Sequence, residues 1–181
     1  RSWGGAGGCG DRSARGRHGT VNGGRRMRAW FDLIWIARDA PEEEAGIRGS
    51  AAGIEALIRR EGERGIDAQR IVVAGFSQGG ALALITALRY PERLAGVVAL
   101  CTYLQIARIT GNELSAVNRG LPVFMANGRF DDVVPFNFAR NSRLRLSRMG
   151  YDVDWHEYPM AHSVIPEEIA RIKEFLDRVI G

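Results

Sequence analysis

From about residue 27 onward, apolar positions follow two alternating spacings. Ile71 to Ala74, Leu94 to Leu100 and Leu121 to Ala126 are short and wholly or almost wholly apolar, the pattern of strands covered on both faces. Met27 to Ile36, rich in aromatic and branched residues, is a further strand candidate. Between these runs apolar residues return every three or four positions. Pro41 and the acids Glu42 to Glu44 open one such stretch, and Ile47, Ala51, Ile54 and Ile58 form its stripe to about Arg60, with Gly65 closing it. A second helix is predicted from Ser77 to Arg89, stopping before Pro91, and a third over 136–149, ended by Gly150. Asp152 to Tyr158 alternates at Val153 and Trp155 and predicts a more exposed strand. Pro166 opens a last helix whose apolar face is expected at Ile169, Ile172, Phe175, Leu176, Val179 and Ile180. Strands alternating with helices predict an α/β fold, a mostly parallel sheet with helices on both faces.

The first stretch breaks this pattern. Residues 1–19 are rich in Gly and Arg, carry one bulky apolar residue, Trp3, and show neither period. Such a segment buries too little apolar surface to offset the cost of ordering it. The expected organisation is therefore a Gly/Arg-rich disordered segment over 1–24 and one folded domain over 25–181. The charge follows the same division. Six arginines and one aspartate give residues 1–26 a net +5 out of the chain's +4, leaving the remainder near −1. A basic nucleic-acid face on the folded part is not implied, and no nucleic-acid partner is expected. Cys9 and Cys101 have no metal-ligand spacing. No apolar run approaches the ~20 residues of a membrane helix, and no secretion signal is visible, so the expected location is cytoplasmic.

Gly75-Phe76-Ser77-Gln78-Gly79 lies between the strand at 71–74 and the helix from 77. A serine on so sharp a turn needs small residues two positions to either side, and Gly75 and Gly79 stand there. The turn lifts the Ser77 hydroxyl above the sheet and sets the Gln78 N–H at a helix N-terminus, where developing negative charge is stabilised.

In such a sheet functional groups gather beyond the carboxyl ends of the strands. Asn127 to Pro135 follows one strand and carries Asp131 and Asp132. Pro159 to Ser163 follows another and carries His162. The chain order Ser, Asp, His is that of α/β-hydrolases. His162 would take the Ser77 proton and return it to the leaving group, while an aspartate would hold the imidazole in the useful tautomer. Sequence physics does not choose between Asp131 and Asp132. His156, inside a strand, is expected to be structural, and His18 falls in the disordered stretch.

These words resemble those of the bacterial carboxylesterase and phospholipase group that also contains acyl-protein thioesterases. The similarity runs through Thr20 to Gly24, Met27 to Asp32, Glu44 to Arg48, Gly75 to Gly80, Gly128 to Pro135, and Trp155 to Met160 with His162 and Ser163. The resemblance implies Asp131 as the catalytic acid, with Asp132 standing where proline is usual and Asn127 where a histidine is common. Family members carry an earlier strand and a His-Gly-x-Gly loop that supplies the second oxyanion N–H, and residues 1–19 hold nothing like it. The expectation is an α/β-hydrolase fold lacking the first strands, with one oxyanion donor, Gln78.

The resulting function is a serine hydrolase cleaving carboxylic esters or acyl thioesters through an acyl-serine intermediate. No cofactor or metal is expected, and a homodimer is left open. Leu104 and Val134 are candidate acyl-chain contacts. Two other readings remain: a truncated, weak or inactive remnant of such an enzyme, and nucleic-acid binding through residues 1–26.

Overall fold

The computed structural model describes residues 17–21, 25–29, 44–104 and 113–181. A hairpin comes first, with β1 (Arg17–Val21) antiparallel to β2 (Arg25–Ala29) and Gly19 opposite Met27. Helix α1 (Glu44–Glu63) leads to β3 (Val72–Phe76), α2 (Gln78–Arg89) and β4 (Gly96–Leu100). Then come β5 (Pro122–Gly128), α3 (Phe136–Arg148), β6 (Asp152–Tyr158) and α4 (Pro166–Ile180). Strands β3 to β6 form a parallel sheet in chain order.

Each strand's period of two sorts its side chains between two cores. Val73, Val97, Val123 and Val153 share one register level, and Ala99, Met125 and Trp155 share the next level on that face. They pack with Ile47, Ala51 and Ile58 of α1, the buried run Leu82–Leu88 of α2, and Leu146 of α3. On the opposite face Val98, Leu100, Phe124 and Ala126 meet Phe175 of α4, with Ile172, Leu176 and Val179 beside it. The α1 stripe expected at 47, 51, 54 and 58 therefore faces the core. The chain leaves α1 through Gly65, whose φ of +88° lies in the left-handed region that L side chains rarely adopt.

Four expectations are revised. Arg17–Val21, inside the segment expected to be disordered, is a strand, so the boundary drawn at residue 24 cuts a hairpin. Pairing across the hairpin gives this Gly/Arg-rich stretch backbone hydrogen bonds that its composition does not advertise. The strand expected over 27–36 is observed over 25–29, and residues 30–36 lie outside the described residues, as do residues 1–16. Strand β3 is not covered on both faces. Val73 is buried, but Ala74 and Phe76 are exposed: among the described strands β3 is the edge of the four-stranded sheet, and of its residues it is Val72 that packs against the cluster around Phe175 of α4. On α4, Ile169 is 55% exposed and Glu168 takes its place in the interior. Positions 168, 172, 175 and 179 form the 4–3–4 stripe that faces the sheet, and 169 lies about 100° around the helix from 168.

Candidate active site

Ser77 is the hinge between β3 and α2. Its φ of 54° and ψ of −121° are sparsely populated for a residue with a side chain, a strain of about 1–3 kcal/mol that the surroundings must hold in place. They do so through the backbone. The Ser77 N–H donates to the Leu100 carbonyl at 2.8 Å, and the Ser77 carbonyl accepts from the N–H groups of Gly80 and Ala81 at 3.0 and 3.2 Å. The turn is so tight that a Cβ at position 75 would lie 2.1 Å from the Gly79 carbonyl oxygen. Gly80 meets the neighbouring strand end in the same way, since a Cβ there would come 2.7 Å from Thr102 Cγ2. Gln78 is the first residue of α2, so its N–H lies at the positive end of that helix.

Asp131 and His162 come from the loops after β5 and β6. Those loops are fastened to each other. Arg129 N–H donates to Tyr158 O at 2.8 Å, and Phe130 N–H donates to Met160 O at 3.1 Å. The approach needs glycine at 128, where a Cβ would sit 2.2 Å from Met160 O and 2.5 Å from Ala161 O. Asp131 Oδ1 accepts the Val133 and Val134 N–H groups at 2.9 and 2.7 Å, and Oδ2 lies 2.8 Å from His162 Nδ1. The Asp131 side chain is fully buried and that of His162 is 15% exposed. Asp132 is exposed, so of the two tandem acids it is Asp131 that meets the imidazole. The Phe76 ring lies against the imidazole at 4.7 Å.

Asn127 is buried with its amide against the Thr102 backbone. His156 is held by Asp154 at 2.8 Å and stacks on Phe124 at 4.9 Å, a packing role away from Ser77 and His162. Leu104 belongs to the main core and Val134 is 4% exposed; the described contacts of both are interior ones. Apolar side chains that do reach the surface beside the three loops are Phe76, Phe130, Val133 and Val164. Cys101 had drawn no functional expectation, yet it follows the carboxyl end of β4 and one ligand atom each of Cys101, Asp131 and His162 lies within 4.8 Å of the others. The rule that places function beyond strand ends would have pointed to it. Burial pushes its thiol pKa up to about 11, with the negative charges of Asp131 and Glu168 adding to the shift. Among the described residues no helix is long and apolar enough to cross a membrane.

The chain matches the Phospholipase/Carboxylesterase family over residues 12–180. It is 40% identical to acyl-protein thioesterase 1 of Neurospora crassa over 166 residues, 87% of this chain and 67% of that protein. The solved structure of Zea mays acyl-protein thioesterase 2 superposes with a TM-score of 0.82 at 28% identity, covering 92% of this chain and 80% of that one. Arabidopsis thaliana SOBER1 superposes with a TM-score of 0.86 at 24% identity, over 92% of this chain and 82% of that one, a likeness of fold. These relatives are fungal and plant proteins, so the family level of the resemblance holds while its bacterial assignment does not follow from them. The fold is that of the α/β-hydrolases, and the chain belongs to the Phospholipase/Carboxylesterase family.

Proposed function

We propose that this chain is a serine hydrolase that cleaves carboxylic esters or acyl thioesters through an acyl-Ser77 intermediate. One contact carries it: the 2.8 Å bond between Asp131 Oδ2 and His162 Nδ1, at the strand ends above which Ser77 is held on its elbow. With Nδ1 committed to a buried carboxylate, Nε2 is the nitrogen available to the Ser77 proton. Ser77 Oγ attacks the acyl carbon as His162 Nε2 takes its proton. The resulting oxyanion is stabilised by the Gln78 N–H at the start of α2. Collapse expels the alcohol or thiol, which receives the proton from His162. Water activated by the same nitrogen then releases the acid and restores Ser77.

Phe76, Val133 and Val164 expose apolar surface next to Ser77, Asp131 and His162 in sequence, which suits an acyl chain better than a charged group. Thioesters are included because acyl-protein thioesterase is the name of the relatives at 36–40% identity. Labelling with a fluorophosphonate probe followed by peptide mapping tests the assignment. The adduct is expected on Ser77 and absent from Ser77→Ala; an adduct on another serine, or undiminished labelling of the variant, would refute it.

A further inference from the structure

Cys101 has a geometry that its role as a buried apolar residue does not require. It is wholly buried, and its φ of 46° lies in the left-handed region, where a residue with a Cβ is strained. A glycine would sit there without strain. The side chain instead occupies the junction of the two loops that carry Asp131 and His162. Its sulfur lies 3.4 Å from the Ser163 carbonyl oxygen, to which the thiol donates. Gly128 is the last residue of β5, three before Asp131, and Ser163 directly follows His162. The Cys101 N–H is fixed in turn to Ala126 O at 2.8 Å.

We propose that Cys101 is a positioning residue for the Asp131–His162 pair: a tie whose backbone N–H holds β5 and whose thiol donates to the loop that carries His162. The tie holds His162 Nδ1 on Asp131 Oδ2. It rests on the hydrolase reading only for its effect on rate. The thiol's bond makes a specific chemical demand, since the side chain must offer a proton to the Ser163 carbonyl. A neutral thiol does so, a hydroxyl does so, and a methyl does not. The groups facing the sulfur are Asp131 from the β5 loop, His162 from the β6 loop and Glu168 from α4. Burial together with two nearby acids keeps the thiol protonated, as the donor half of the tie requires. Ser77 lies one strand over from Cys101, at the end of β3, so the tie would act on the base and its orienting acid and not on substrate.

The test compares Cys101→Ala with Cys101→Ser in the full chain. Three readouts are taken: kcat and KM on an aryl ester, thermal melting, and the low-field NMR signal of the proton between His162 Nδ1 and Asp131. Cys101→Ala should lose about tenfold or more in kcat at little-changed KM, an effect of imperfect base placement. Its low-field signal should shift or broaden. Cys101→Ser should restore both toward the parent. Should the alanine chain fail to fold, Cys101→Gly, which relaxes the backbone, takes its place with the same expectation. Equal impairment of the alanine and serine variants would mean that volume matters and the tie does not. A parent-like signal and kcat in Cys101→Ala would also overturn the proposal. A chain that shows the signal, and its loss in Cys101→Ala, but hydrolyses no ester would keep the tie and refute the hydrolase reading. A parent chain with no such signal would overturn the tie.

Discussion

Replacing Asp131 with asparagine removes one charge and almost no volume, which makes its effect calculable from the hydrogen bonds. Oδ1 accepts from two backbone N–H groups and Oδ2 faces His162 Nδ1. An asparagine keeps the two backbone bonds only with its oxygen in the Oδ1 position, so its NH2 must then face Nδ1. The imidazole has to accept there, which moves its own proton to Nε2, the nitrogen needed to take the proton of Ser77. The equivalent exchange in a well-characterised triad lowers turnover about 10⁴-fold, or about 5 kcal/mol in barrier height. Folding should suffer far less, since two of three bonds survive; about 1–2 kcal/mol is expected for the lost charge-assisted bond. Asp132→Asn, at an exposed position, should leave turnover within a few-fold. Hydrolysis of an aryl ester by both variants, with urea unfolding of each, measures both effects. The reverse ranking, or an Asp131→Asn chain within about tenfold of the parent, would refute the assignment of His162 as a base oriented by Asp131.

Other perturbations probe the scaffold around that pair. Gly75→Ala places a Cβ 2.1 Å from the Gly79 carbonyl oxygen, with backbone on both sides and no rotamer to yield, so a loss of about 2–3 kcal/mol or more is expected on urea unfolding; a loss below about 0.5 kcal/mol would show the elbow to be looser than drawn. Asp154 is paired with Arg178 and His156, and although burial acts to raise its pKa, those bonds outweigh it and hold the carboxylate below its usual range. A lowered folded pKa contributes stability that is complete above the unfolded value of about 3.9 and is lost as the pH falls through the folded one. Asp154→Asn should therefore flatten the acid loss of stability below about pH 4, and parallel acid profiles for variant and parent would contradict the pairing.

Much of the fold is legible along the chain because burial imposes a period. The stripe Ile47, Ala51, Ile54, Ile58 and the runs at 94–100 and 121–126 each announce an element whose observed limits, 44–63, 96–100 and 122–128, lie close by. The elbow is equally local, since Gly75 is required by Gly79, four residues away. The errors fall where a periodic pattern meets a neighbour that the pattern does not name. Ile169 has helical spacing from Ile172 but faces solvent, because the line of α4 over the sheet runs through Glu168 and Phe175. Phe76 continues an apolar strand yet stays 38% exposed, at the end of a strand that is the edge of the described four-stranded sheet.

The sequence by itself determined the alternation of strands and helices, the Ser77 turn, and the position of the acid and histidine words after strand ends. All of these follow from interactions within a few residues or from the demand that apolar faces be buried. Sequence physics left Asp131 and Asp132 open, the resemblance favoured Asp131, and only the tertiary structure shows the Asp131 carboxylate against His162. Adjacent residues in a loop share one composition and one neighbourhood, and which carboxylate turns inward depends on how Gly128 lets its loop close on Met160 and Ala161. It alone also brought Cys101 between those loops. Contacts between strand ends far apart in sequence are set by sheet register, and register is a property of paired strands that no single segment contains.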